Sequence, residues 1–135
     1  MGGLLLVREC EQPWRFISSL SSIVSDTRNP YLIHHTYEEM FLQRICQISC
    51  GYEDADDCDL LRNDSILKLC AGRTAESRAL ASQPTMTRLE NKATIRELYQ
   101  MGLCFIYQFM NSYADEPEVI ILDCDDSNAN TYGGQ

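Results

Sequence analysis

The chain has 135 residues, 44% of them hydrophobic and 23% charged, and a net charge of -9 at neutral pH. That length allows one domain with a buried core, no run reaches the ~20 apolar residues of a membrane span, and evenly spread negative charge would repel nucleic acid. The charge is uneven: only residues 73–113 are net basic, while 114–135 hold six acids and no base.

Residues 4–24 read as one or two short helices interrupted near Pro13, with Phe16, Ile17, Leu20, Ile23 and Val24 on the apolar face. After Leu4-Leu5-Leu6-Val7 the sequence turns charged at Arg8, too soon for the apolar stretch of a secretory signal. The seven cysteines, odd in number and irregularly spaced, therefore predict free thiols and a cytoplasmic location. Cys46, Cys50 or Cys58 with His34 or His35 offer a zinc alternative, but CxxC and HxxxH pairs are lacking. Both histidines read better as surface or partly packed side chains.

Asp26–Pro30 is a loop, because Asn29-Pro30 favours a turn. Thr36 and Glu39 form a capping box ahead of Tyr37, Met40, Phe41, Ile45 and Ile48, which repeat at helical spacing until Gly51. Acids then crowd the start of a short helix, where they suit its positive end, and Asp54, Asp57 and Arg62 offer local ion pairs. Asn63 or Asp64 caps a further helix that runs to Ala71 and stops at Gly72.

Residues 72–83 read as a polar loop, and Pro84 as the first position of a helix running to about Glu90. Thr94 and Glu97 form a second capping box before an amphipathic helix marked by Ile95, Leu98, Phe105, Ile106, Phe109 and Tyr113. Asp115-Glu116-Pro117 turns the chain into an apolar strand, Val119–Leu122. One strand makes no sheet. The isolated chain is therefore expected to be marginally stable, with an aggregation-prone strand.

Two groups of residues carry chemistry. Alternation along the strand places Asp123 and Asp125 on one face, and paired carboxylates are hard ligands suited to Mg2+. The plain alternative is that Asp-Asp-Ser-Asn starts a turn. Within the basic segment, Gln83, Thr85, Thr87 and Arg88 open a helix that looks like the second helix of a helix-turn-helix. Arg73, Arg78, Lys92 and Arg96 stand near it to hold phosphates. Here the alternative is plain packing through Met86 and Leu89.

Four blocks occur in order: GGLLLVRE, GYEDADDCDLLRND, LASQPTMTRLEN and LDCDDSNANTYGGQ. Together they resemble the N-terminal portion of DDE-type insertion-sequence transposases, which cut and rejoin DNA with an RNase H-like domain. The resemblance implies a mainly α region over 1–114, for DNA binding or dimerisation. It further implies that 115–135 begins an RNase H-like α/β catalytic domain with its first β-strand. It makes Asp125 the first catalytic aspartate and metal ligand, with Asp123 as neighbour or second candidate, and Mg2+ the cofactor. Ser127 stands where Thr is commoner, and Tyr132 where a His often precedes the Gly.

The family's second Asp and its Glu would lie beyond this sequence, so a truncated or split transposase, inactive alone, is expected. The implied parent reaction is Mg2+-dependent phosphodiester cleavage and strand transfer. Implied partners are the terminal inverted repeats and, by self-association or pairing, an intact transposase. A non-catalytic binding module is the alternative. A free-standing acidic helical protein without a DNA role is the third reading.

Overall fold

A computed structural model of the chain describes residues 3–124. Its α-helices are α1 Leu4–Trp14, α2 Phe16–Ile23, α3 Tyr37–Ser49, α4 Asp57–Leu61, α5 Ser65–Cys70, α6 Gln83–Glu90 and α7 Ile95–Asn111, with a 3-10 turn at Pro30–Leu32. None of them is long and apolar enough to cross a membrane.

The first interruption falls just past Pro13, at Arg15, which adopts the left-handed conformation with φ 49°. An L-residue there carries a cost of ~1–2 kcal/mol. Glu11 compensates on both sides. Its carbonyl accepts the Arg15 N–H at 2.8 Å, and its carboxylate accepts the Ile17 N–H at 2.6 Å, capping α2 where Arg15 has no acceptor to offer.

Helix α3 starts at Thr36, whose hydroxyl accepts the Glu39 N–H at 3.2 Å. The expected capping box is only half made, because the Glu39 carboxylate turns instead to Arg73 and His35. At the other end Gly51, with φ 85°, lets the chain reverse. Its N–H reaches Ile48 O at 2.9 Å, and the Tyr52 N–H reaches Gln47 O at 3.0 Å. The same pair of bonds closes α5 at Gly72, and Asp64, of the two cap candidates, opens that helix by accepting from Ile66 and Leu67.

The buried face of α3 is Tyr37, Met40, Gln43, Cys46 and Gln47. Ile48, which belongs to the apolar repeat read from the sequence, is half exposed. Counting apolar residues misses Gln43 because an amide whose hydrogen bonds are satisfied behaves in a core as a neutral, well-packed group. Gln43 Nε2 donates to Ala81 O, and Gln43 Oε1 accepts the Ala81 N–H, both at 3.0 Å.

These two bonds sit between two apolar clusters. One contains Leu4, Cys46, Leu61, Leu67, Cys70 and Leu80. The other contains Val24, Tyr37, Met40, Cys58, Met86 and Leu89. The supposed polar loop 72–83 therefore dives inward, with Leu80 and Ala81 fully buried, and the Leu80 N–H reaches Arg62 O at 2.9 Å. Helix α6 then begins one residue before Pro84.

All seven cysteines are free. Burial pushes the Cys46 thiol up to about 12, and raises Cys58 and Cys70 as well. These three are packing groups rather than reactive thiols.

The acidic block is anchored through its main chain. Arg44 of α3 donates to Glu53 O at 2.7 Å and to the Glu90 carboxylate at 2.6 Å, tying that loop to α6. Arg62 pairs at 3.6 Å with Asp59 of α4, and not with the Asp54 or Asp57 expected from sequence.

Helix α7 carries the complete capping box of Thr94 and Glu97. Glu97 also accepts the Ser25 N–H at 2.9 Å, which joins the start of α7 to the end of α2. The expected amphipathic helix forms, with its apolar residues largely exposed. The expected strand does not: Val119–Leu122 forms no strand and is exposed as well. No partner strand exists among the described residues, so nothing pays the ladder's ordering entropy. Mainly α is thus the observed architecture of residues 3–124.

The two buried glutamines of α3 should respond unequally to the same substitution. Gln43→Leu strands the Ala81 N–H and C=O and should lose roughly 2–5 kcal/mol in urea unfolding. Gln47→Leu gives up only a weak bond from the Cys58 thiol. It also removes an Nε2 that has no partner among the described residues, so its stability should change by less than about 1 kcal/mol.

Hydrogen bonds from the Ser25 and Thr94 N–H groups hold the Glu97 carboxyl at about 2, below its usual 4.5. Because this pKa is depressed in the folded state, its contribution is complete above the usual value and lost as pH falls toward the folded one. Melting temperature should drop between about pH 4.5 and 2, with a smaller drop in Glu97→Gln, as followed by circular dichroism.

Candidate nucleic-acid interface

The Gln43 clamp fixes where α6 leaves the core, and with it the direction in which Thr85 and Arg88 face. Across from them runs the 28–35 segment. Between the two lies a cleft of about 470 Å3 with Ile33, Tyr37, Met40 and Leu89 on its apolar side. Arg28, His34, Arg88 and Lys92 line it with cationic or polar groups.

The far wall is held by a chain of guanidinium contacts. Arg28 forks onto Asp26 at 2.8 and 2.6 Å, donates to His35 O at 3.0 Å, and lies 4.0 Å over the Tyr37 ring. The Arg28 hydrogen bond holds the Asp26 carboxyl below the usual carboxylate range, and Asp26 raises Arg28 in return. Arg73 joins this wall to α3, donating to Glu39 at 2.8 Å and to His34 O at 2.9 Å. Arg78 donates to His34 O at 2.6 Å and meets His34 Nδ1 at 2.9 Å.

Charge bookkeeping follows from these pairs. Asp26 neutralises Arg28 and Glu39 neutralises Arg73. Arg78, Arg88 and Lys92 have no carboxylate within 4.0 Å among the described residues. Arg88 donates to Thr85 Oγ1 at 3.3 Å, and Lys92 to Thr27 Oγ1 at 3.1 Å, both neutral partners. Their positive charge remains available to an anion.

Of the residues singled out in sequence, Thr85, Arg88 and Lys92 meet in this cleft. Gln83 and Thr87 do not. They bond to each other at 3.2 Å, and the Gln83 N–H donates to Asp59 of the acidic α4. Arg96 is exposed in the first turn of α7 and does not line the cleft. The long segment 71–82 precedes α6, not the 3–4-residue turn typical of a helix-turn-helix. Arg28 and His34 were missed because they stand some 50 positions from α6, where only tertiary packing reveals them.

Asp123 is exposed and lies outside any helix, while Asp125, Ser127 and Tyr132 fall outside the described residues. Among the described residues no three His, Cys, Asp or Glu side chains are grouped to hold a metal ion.

The family model described as transposase DDE domain group 1 matches residues 1–135. The chain belongs to this family of transposase domains. No curated protein and no solved structure matches it. The resemblance read from the four sequence blocks therefore holds at the level of the family, and a transposase-related function comes with it. For a DDE transposase domain, a cleft lined by two cations, Arg88 and Lys92, without a carboxylate partner among the described residues, in a chain of net charge -9, is the feature with the clearest chemical use.

Proposed function

We propose that this chain is the DNA-engaging N-terminal part of a DDE transposase. The single observation that carries the reading is the pair Arg88 and Lys92, cations that line one cleft of an acidic chain without a carboxylate partner among the described residues. Phosphates of an insertion-sequence inverted repeat would sit against them, since such contacts supply most of the affinity for a duplex. The flanking acidic helices, by repelling phosphate, would confine the duplex to that face.

In this reading residues 115–135 begin the RNase H-like catalytic domain. Asp123 is exposed, so its carboxylate is open to a cation, and hard oxygen donors suit Mg2+. Asp125 and Asp123 would hold the ion, which in such enzymes promotes attack on a phosphodiester and stabilises the leaving oxygen. Two carboxylates leave most of an octahedral shell to water. In this reading residues 1–135 on their own bind DNA without cutting it.

A second reading, a binding module without catalysis, draws support from one observation. Every cation of the cleft comes from residues 28–92, none from the segment that carries Asp123 and Asp125. Chelating divalent ions separates the two: a pure binding module holds DNA equally well in their absence.

Anisotropy of a labelled inverted-repeat duplex tests the common core of both readings. Arg88→Ala and Lys92→Ala should each weaken binding several-fold and lower the salt slope by about 1. Gln83→Ala should change neither. Equal losses in all three variants, or no binding at low salt, would rule the cleft out as the DNA site.

A further inference from the structure

One side chain of the cleft has its hydrogens fixed by its neighbours. His34 lines the cleft beside Arg88 and Lys92. Arg78 Nη1 lies 2.9 Å from His34 Nδ1, while Arg78 Nη2 donates to the His34 carbonyl at 2.6 Å. A guanidinium donates hydrogen bonds and never accepts them. Nδ1 must therefore hold a lone pair, and the single proton of the ring sits on Nε2. Arg73 also donates to the His34 carbonyl, at 2.9 Å. The backbone is thus gripped by two guanidiniums and the ring by one of them. Among the described residues the ring has this one polar contact, at Nδ1, and Nε2–H is left as a donor for a ligand.

The charges around the ring are mostly positive. Arg73 and Arg78 come from the 71–82 segment, and Arg88 and Lys92 from α6 and the turn after it. Arg28 stands in the ring's own segment, paired with Asp26 and stacked on Tyr37. At the head of α3, Glu39 is shared by Arg73 and His35. A proton added to Nδ1 would meet Arg78 directly, like charge against like, and would remove that guanidinium's acceptor.

A phosphate reverses this balance. It accepts the Nε2–H, draws Arg78 away from Nδ1, and by its own charge favours the imidazolium. One proton then passes from solvent to Nδ1, and no covalent bond is made or broken. We propose that His34 is a phosphate-binding residue of the cleft, set by Arg78 as an Nε2–H donor and protonated when the phosphate arrives. The inference rests on the DNA reading given above and adds to it that binding takes up a proton.

Anisotropy of the inverted-repeat duplex at fixed salt, from about pH 7.5 to about pH 5.5, tests it, because imidazoles titrate in that interval. Affinity should rise roughly fivefold toward the acid end, since a charged donor holds phosphate more strongly than a neutral one. His34→Gln should lose that rise with its helix content unchanged by circular dichroism. The chain has only two histidines, so His35→Gln is the control and should keep the rise. No rise in the natural chain, or a rise that survives His34→Gln, would overturn the proposal. Nitrogen NMR of the free protein gives a second reading: an Nε2–H ring is expected at His34, and an Nδ1–H ring would contradict it. If the duplex binds at no pH, the DNA reading fails by itself and inorganic phosphate decides the inference. His34 ring signals that move toward the imidazolium as phosphate is added at constant pH sustain it, and unmoved signals sink it.

Discussion

One side chain holds this arrangement together. The Gln43 amide satisfies both the N–H and the C=O of Ala81 in a site with no exposure to solvent. An amide transferred to such a place without partners costs a few kcal/mol. With both bonds made, that penalty is cancelled and the backbone at Ala81 has one admissible position. Leu80 enters one apolar cluster and Ala81 the other, so a single pair of bonds sets the register between the two halves of the core. Helix α6 starts immediately afterwards, and its direction is inherited from that register.

The charged groups build outward from this seam by the same logic. Arg44, Arg73 and buried Lys68 spend their charge on backbone carbonyls, in loops that have no ladder of their own. Lys68, for instance, donates to Ser77 O at 2.8 Å and shapes the 73–79 segment. Cations used in this way are structural. Arg88 and Lys92 differ: they bond only to the Thr85 and Thr27 hydroxyls and line the cleft without a carboxylate partner among the described residues. That distinction, more than the local excess of basic residues, separates a binding surface from a scaffold.

Much of the local structure was legible in the sequence because it is governed by near neighbours. Both helix stops at Gly51 and Gly72, the caps at Thr36, Asp64 and Thr94, and the loop at Asn29-Pro30 follow from hydrogen bonds a few residues long. What was not legible depends on contacts distant in sequence. Gln43 reads as polar until Ala81, thirty-eight positions on, is placed against it. Arg28 and His34 reach α6 only through the folded 26–36 segment. The stripe on α7 was correctly seen as apolar, yet periodicity alone states that a face wants cover, not what covers it. Val119–Leu122 teaches the same lesson: strand propensity is realised only when a neighbouring strand supplies hydrogen bonds.

The most direct measurement of this account is amide hydrogen exchange at Ala81, read residue by residue by NMR. If the Gln43 clamp is the seam of the fold, the Ala81 N–H exchanges as slowly as the central amides of α3, through global unfolding. Exchange as fast as that of the neighbouring 74–78 segment would contradict it, and with it the fixed placement of α6 and its cleft.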